Sequence, residues 1–339
     1  MPRERLAGRR DEARATPPAP APAPAERLLQ LQRGAGNAAV ARAILARRFD
    51  RAAYERSMAE KAHFMAWIYE GPSWRPSTGR GNFDILYEPK TGALTVTVKC
   101  KFRFKDGKPE DFEDEEEPKG WIWKQADKDK WKADFMRRVS AKWSGNFTFH
   151  CTRDWWEELQ AAVQVHFVES DAKHAHFDLQ VTKIPETSTS QSKVRRPKHN
   201  KRKGKAFLDS GDLSQEDKGP TGNFSQTVAY HEAGHMLGLG DEYSGSKHDD
   251  EPVAHEKLVQ AEFGHGVPRH DDGRLMSEGD TIGPEYGVTF LEALRIITDI
   301  PQWHYNAKPP APVLGEPVDG PMPVKQNPLA PTPPQVALA

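Results

Sequence analysis

Between Leu94 and Phe104 apolar and polar residues alternate without a break. Leu94, Val96, Val98, Cys100, Phe102 and Phe104 take one side, and Thr95, Thr97, Lys99, Lys101 and Arg103 the other. A strict period of two predicts a strand with one buried face. FDILYEP, joined to it by KTG, predicts the first arm of a hairpin over 83–104. At 125–143 the period lengthens to that of a helix, with Trp131, Phe135, Met136, Val139 and Trp143 on one face. Shorter apolar runs predict strands at 147–152, 161–169 and 176–184. Further helices are expected at about 50–69, ended by Gly71, Pro72 and Pro76, and at 288–300. The mixture is that of an α+β fold.

Composition trims the ends off this picture. Of 28 prolines among 339 residues, six lie in the first 24 residues and ten between Pro309 and Pro334. The expected organisation is a disordered Pro/Ala-rich tail at 1–25, a helical leader at 26–75, a folded domain at 80–305 and a disordered Pro-rich tail at 306–339. No apolar run reaches the length of a membrane span, and MPRERLAGRR lacks the apolar stretch of a Sec signal peptide. Cys100 and Cys151 are too few for a disulfide framework and read as small buried hydrophobes.

Lys plus Arg is 48 and Asp plus Glu is 49, a formal net charge of -1. No nucleic-acid partner is expected from that balance. The balance is a sum of separate loops, however. EDFEDEEE (110–117) is acidic and KVRRPKHNKRKGK (193–205) is basic. Neutrality therefore bounds the whole chain but not each surface.

The chemistry concentrates in TVAYHEAGHMLGLGDEY (227–243). His231 and His235 are four residues apart, so in a helix both imidazoles leave one face a turn apart and can grip one metal ion. Glu232 can reach the same cleft, placed to take a proton from water at the metal. Gly238 can stop the helix and turn the chain, which returns Asp241 toward the two histidines. Glu242, His248 and Glu256 are the alternatives to Asp241 as third ligand.

The pattern H-E-x-x-H-x-x-G-x-x-D resembles the metzincin clan of zinc endopeptidases, in which the third ligand is more often histidine and in some members aspartate. Met276, in GRLMSEGD (273–280), matches the methionine-bearing turn beneath the metal, and 288–300 matches the clan's later helix. The resemblance implies a metzincin-like catalytic domain: a twisted mixed sheet, an active-site helix, a Met-turn and a C-terminal helix. It implies Zn2+ held by His231, His235 and Asp241. It also implies Glu232 as the catalytic base in hydrolysis of a protein or peptide substrate. Tyr243 and Tyr286 are candidate oxyanion donors, and 176–184 is the candidate strand along which substrate pairs.

LLQLQRGAGNAAVARAI carries Leu31, Gln32, Arg33, Gly36, Asn37, Ala39 and Val40 in the pattern L-Q-R-x-x-G-N-x-A-V. This is similar to a segment near the N-terminus of bacterial proteins associated with extracellular contractile injection systems. The similarity implies a bacterial effector or toxin, made in the cytoplasm without a Sec signal. It would be exported or delivered as cargo of an injection particle through residues 26–48. The alternatives are a non-catalytic zinc-stabilised scaffold and an interaction module.

Overall fold

The computed structural model describes residues 51–112, 120–186, 188, 191–195, 203–218, 224–242, 253–269, 273–305 and 324–326. The tail at 1–25, the injection-system-like segment at 26–48, Tyr243 and His248 lie outside the described residues, as do most of the acidic run and the middle of the basic one. The chain divides into two compact units, Met1–Arg56 and Ser57–Ala339. The described part of the first, 51–56, is the start of helix α1 (Arg51–Met65). All that follows concerns the second.

The second unit is mixed α/β, built on one mixed sheet with helices packed on it. The long alternating segment is its centre. Strand β3 (Ala93–Lys105) pairs antiparallel with β2 (Phe83–Glu88) and parallel with β5 (Gln160–Glu169). Beyond Cys100 it pairs parallel with β6 (Phe177–Thr182). Cys100 is in register with both Glu169 and Phe177, so β5 and β6 take opposite edges of β3. Hence β2 and β6 follow one another along a single edge. Their junction is closed by polar groups: the Lys99 N–H donates to His176 Nδ1 (3.1 Å), and His176 Nε2 meets Asp84 Oδ1 (3.1 Å). Leu94, Val96, Val98 and Cys100 are buried on one face, as the alternation requires.

Helix α2 (Gln125–Trp143) covers that face. Trp131, Phe135, Val139 and Trp143, spaced four apart, are its buried stripe, while Met136 is half-buried. Its Ser140 and Ser144 hydroxyls accept the N–H groups of Phe167 and Val165 (2.8 Å each), satisfying donors of β5. Trp143 is fully buried, and its indole N–H donates to the Tyr230 carbonyl (3.2 Å). The expected strands at 147–152 and 161–169 appear as β4 (Thr148–Cys151) and β5. Both cysteines are free and buried.

Three expectations change. Residues after Met65 do not extend the helix: Ile68–Trp74, expected in part as helix, form β1, antiparallel to β2. Gly71 and Pro72, which read as helix stops, are equally at home in an edge-side strand with a bulge, and the register of β1 does shift there. The basic run is not wholly loop, because Lys193–Arg195 form β7, antiparallel to β8 (Gly204–Asp209). Three residues of the C-terminal tail, Val324–Gln326, pair parallel with β1 as the last strand, so that tail is not structureless throughout. No described helix is long and apolar enough to cross a membrane.

After β8 comes a small antiparallel pair, β9 (Gln215–Lys218) and β10 (Phe224–Thr227). Helix α3 (Val228–Met236), helix α4 (Glu256–Phe263) and helix α5 (Val288–Thr298) follow, then β11 (Trp303–Tyr305), paired with β4. Trp143 ties α2 to α3. Trp143→Ala leaves a large void and removes the hydrogen bond to the Tyr230 carbonyl, and is expected to cost about 3–5 kcal/mol. Urea denaturation followed by circular dichroism measures it, and a loss below 1 kcal/mol would contradict this packing.

Candidate metal centre

Strand β10 runs directly into α3, which carries His231, Glu232 and His235, all buried. The imidazoles stand edge to face, with centroids 4.9 Å apart. Each Nδ1 is engaged by a backbone carbonyl: His231 Nδ1 lies 2.8 Å from Leu275 O, and His235 Nδ1 lies 3.0 Å from Leu239 O. A carbonyl only accepts, so both Nδ1 atoms carry the proton, and each Nε2 has its lone pair directed into the site.

Gly238 brings the third group in. Its φ of +104° is in the left-handed region. The Leu239 N–H donates to Gly234 O (3.0 Å) and the Gly238 N–H to His235 O (3.2 Å). This pair of bonds is a Schellman turn. A Cβ at Gly238 would also lie 2.8 Å from the Pro76 ring and 3.1 Å from Thr289. The chain reverses there, and Asp241 Oδ1 comes to 3.2 Å from His231 Nε2 and 3.0 Å from His235 Nε2. The ligand atoms of His231, His235 and Asp241 all lie within 4.8 Å of one another. Burial alone would raise the Asp241 carboxyl, but the closeness of the His231 and His235 rings, which favours its charged form, more than offsets it and holds it well below the usual carboxylate range.

Of the alternatives to Asp241, the two among the described residues, Glu242 and Glu256, point elsewhere. Glu242 is turned outward from the histidines: it accepts from Arg274 Nε (2.8 Å) and the Tyr286 hydroxyl (3.0 Å), and lies 3.3 Å from His255 Nε2. Glu256 accepts from the Val253 N–H (3.2 Å) and from Arg269 (3.3 Å), at the start of α4. Tyr286 is corrected as an oxyanion donor. It is fully buried, its hydroxyl donates to Glu242 and accepts the Met276 N–H (3.1 Å), and it therefore braces the turn below the site.

Met276 sits beneath α3, fully buried. A Cβ on Gly234 would fall 2.3 Å from its sulfur, so the glycine within the motif is what lets the methionine approach. The Met276 carbonyl accepts the Glu242 N–H (2.8 Å), which links the turn to the residue after Asp241. Two residues that the motif did not disclose complete the support. The Gln226 amide donates to the carbonyls of Leu275, Ser277 and Gly279 (2.9, 2.8 and 3.1 Å), clamping the turn whose Leu275 carbonyl also holds His231. Arg80, from the β1–β2 loop, brings its guanidinium to 3.8 Å from Asp241 Oδ2 and 3.4 Å from His235 Nδ1.

Glu232 is buried beside the histidines, and among the described residues its Oε2 has no hydrogen-bond partner. Burial, with the Asp241 charge, pushes its carboxyl up to about 7, against the opposing pull of His231, the Val194 N–H and Arg80. The Val194 N–H belongs to β7, and this alters the expected substrate strand. β6 pairs on both sides, with β3 and β8, so it has no open edge, whereas β7 pairs with β8 alone among the described residues.

Two imidazole nitrogens and one carboxylate oxygen, with the histidine tautomers set by carbonyls, make a donor set suited to a zinc ion with a coordination position left over. No protein-family model matches the chain, and no curated protein and no solved structure matches it. Gly234→Ala is expected to destabilise by about 1–3 kcal/mol despite alanine's better helix propensity, because the sulfur of the fully buried Met276 must shift to admit the methyl group, with Trp143 also close by. Gly234→Ala with Met276→Ala should recover part of the loss in chemical denaturation. A Gly234→Ala protein as stable as wild type would refute the close approach.

Proposed function

We propose that the protein is a zinc-dependent endopeptidase of metzincin-like design. The observation that carries the reading is the convergence of His231 Nε2, His235 Nε2 and Asp241 Oδ1, with the buried Glu232 beside them, whose Oε2 has no hydrogen-bond partner among the described residues. A structural zinc site needs no adjacent base, so Glu232 favours catalysis over a scaffold role. The Met276 turn and the Gly238 reversal support the metzincin likeness.

When bound, the ion supplies Lewis acidity toward a carbonyl oxygen and toward water. The chain's own groups do the rest. His231, His235 and Asp241 hold the ion, and Leu275 O and Leu239 O keep the two rings aimed. Glu232, raised to about 7 by burial, is matched to taking a proton from water near neutral pH and passing it to the departing amine. Arg80 contributes positive charge on the Asp241 side. β7, which pairs with β8 alone among the described residues and reaches Glu232 through the Val194 N–H, is the candidate edge for an extended peptide. The likeness of 26–48 to injection-system proteins supports delivery as a bacterial effector, and those residues are the segment that would engage the particle.

Glu232→Gln preserves the ligands and removes the base. Cleavage of casein should fall on the order of 10²–10⁴-fold. Wild-type cleavage should stop with 1,10-phenanthroline and return with added zinc. A Glu232→Gln protein cleaving at the wild-type rate would sink the mechanism, and zinc binding without any cleavage by wild type would favour the scaffold.

A further inference from the structure

The edge strand beside Glu232 is flanked by an unbalanced row of charges. Across the outer face of the sheet, Lys101 of β3, Asp178 of β6, Lys205 of β8 and Arg195 of β7 stand in register. In the adjacent row Arg103 is followed by Gln180, Phe207 and Lys193. Across the two rows the only carboxylate is Asp178, and it is bridged to Arg103 (3.5 Å). Arg195 and Lys205 therefore face each other as like charges, an arrangement that destabilises a strand pair unless an anion joins it. Arg195 lies over the Phe207 ring (5.0 Å), which holds its guanidinium on this face. Lys193 and Arg195 are exposed, while Val194 between them packs toward the core.

We propose that the site selects acidic peptide segments, bound as an extra strand along β7 with carboxylate side chains at alternate positions opposite Lys193 and Arg195. The inference deepens the peptidase reading and rests on it for the location of the scissile bond. Its geometry follows from the pleat. A strand added to β7 places every second side chain on the outer face, next to Lys193 and Arg195, and the others toward Glu232's side of the sheet. A nucleic acid would also be drawn to the cations. It has no use for the peptide-like edge of β7, where the Val194 N–H is directed toward the catalytic carboxylate.

The test uses full-length Glu232→Gln protein and fluorescence anisotropy. Its probes are an extended peptide with Glu at alternate positions, the same peptide with Gln, the same with Lys, and a single-stranded oligonucleotide. The Glu peptide should bind about tenfold tighter than the Gln peptide. That margin should shrink with salt and vanish in K193E/R195E. Equal affinity for the Glu and Gln peptides would overturn the proposal, and so would tighter binding of the oligonucleotide lost in K193E/R195E. If the Glu peptide binds through Lys193 and Arg195 but wild type cleaves nothing, the acidic-strand site stands and the peptidase reading falls.

Discussion

Everything at this centre depends on two backbone carbonyls. Leu275 O and Leu239 O each take the Nδ1 proton of one histidine, and only then can both Nε2 lone pairs be turned to one point. Neither carbonyl belongs to α3 itself. Leu239 lies past the Schellman turn at Gly238, and Leu275 lies in the turn that Gln226 clamps. A nine-residue helix thus has its side chains aimed by two segments of chain that follow it. The Met276 turn fixes Leu275, and the Met276 carbonyl fixes Glu242 next to Asp241. One turn therefore positions both His231 and Asp241, the first and third of the proposed ligands.

The sheet serves this arrangement through few links. Trp143 reaches from α2 to the Tyr230 carbonyl just before His231. The β1–β2 loop lays Pro76 against Gly238 and donates the Asn82 N–H to Met236 O (3.1 Å). Arg80 comes in on the same loop. The buried set of Glu242, Arg274, Glu285, His255 and Tyr286 closes the far side. Burying an arginine with two glutamates is costly unless every donor is used, and here Arg274 meets both carboxylates (2.8 and 3.1 Å).

What could be read in advance was what is local. The alternation of 94–104 and the four-residue spacing of Trp131, Phe135, Val139 and Trp143 define β3 and α2 because burial on one face imposes a period. His231, Glu232, His235, Gly238 and Asp241 were legible because one helix and one turn bring them together. The rest depends on contacts remote in sequence. Arg80 meets His235 across 155 residues, with no periodicity to announce it. β7 is three residues long and two of them are charged, so it reads as loop until β8 supplies its register. The segment 176–184 was recognisable as a strand, but whether a strand lies at an edge is a property of the whole sheet. Tyr286 illustrates the same limit, since its hydroxyl serves the support beneath the motif, through Glu242 and the Met276 N–H, rather than the site itself.

The central claim is that His231, His235 and Asp241 together hold one zinc ion. Zinc content by mass spectrometry, after dialysis against metal-buffered solution, tests it most directly. Wild type and Glu256→Ala should retain a single ion per chain, while His231→Ala, His235→Ala and Asp241→Ala should lose it with their fold intact by circular dichroism. Full zinc occupancy in folded Asp241→Ala, or its loss in Glu256→Ala, would contradict the account.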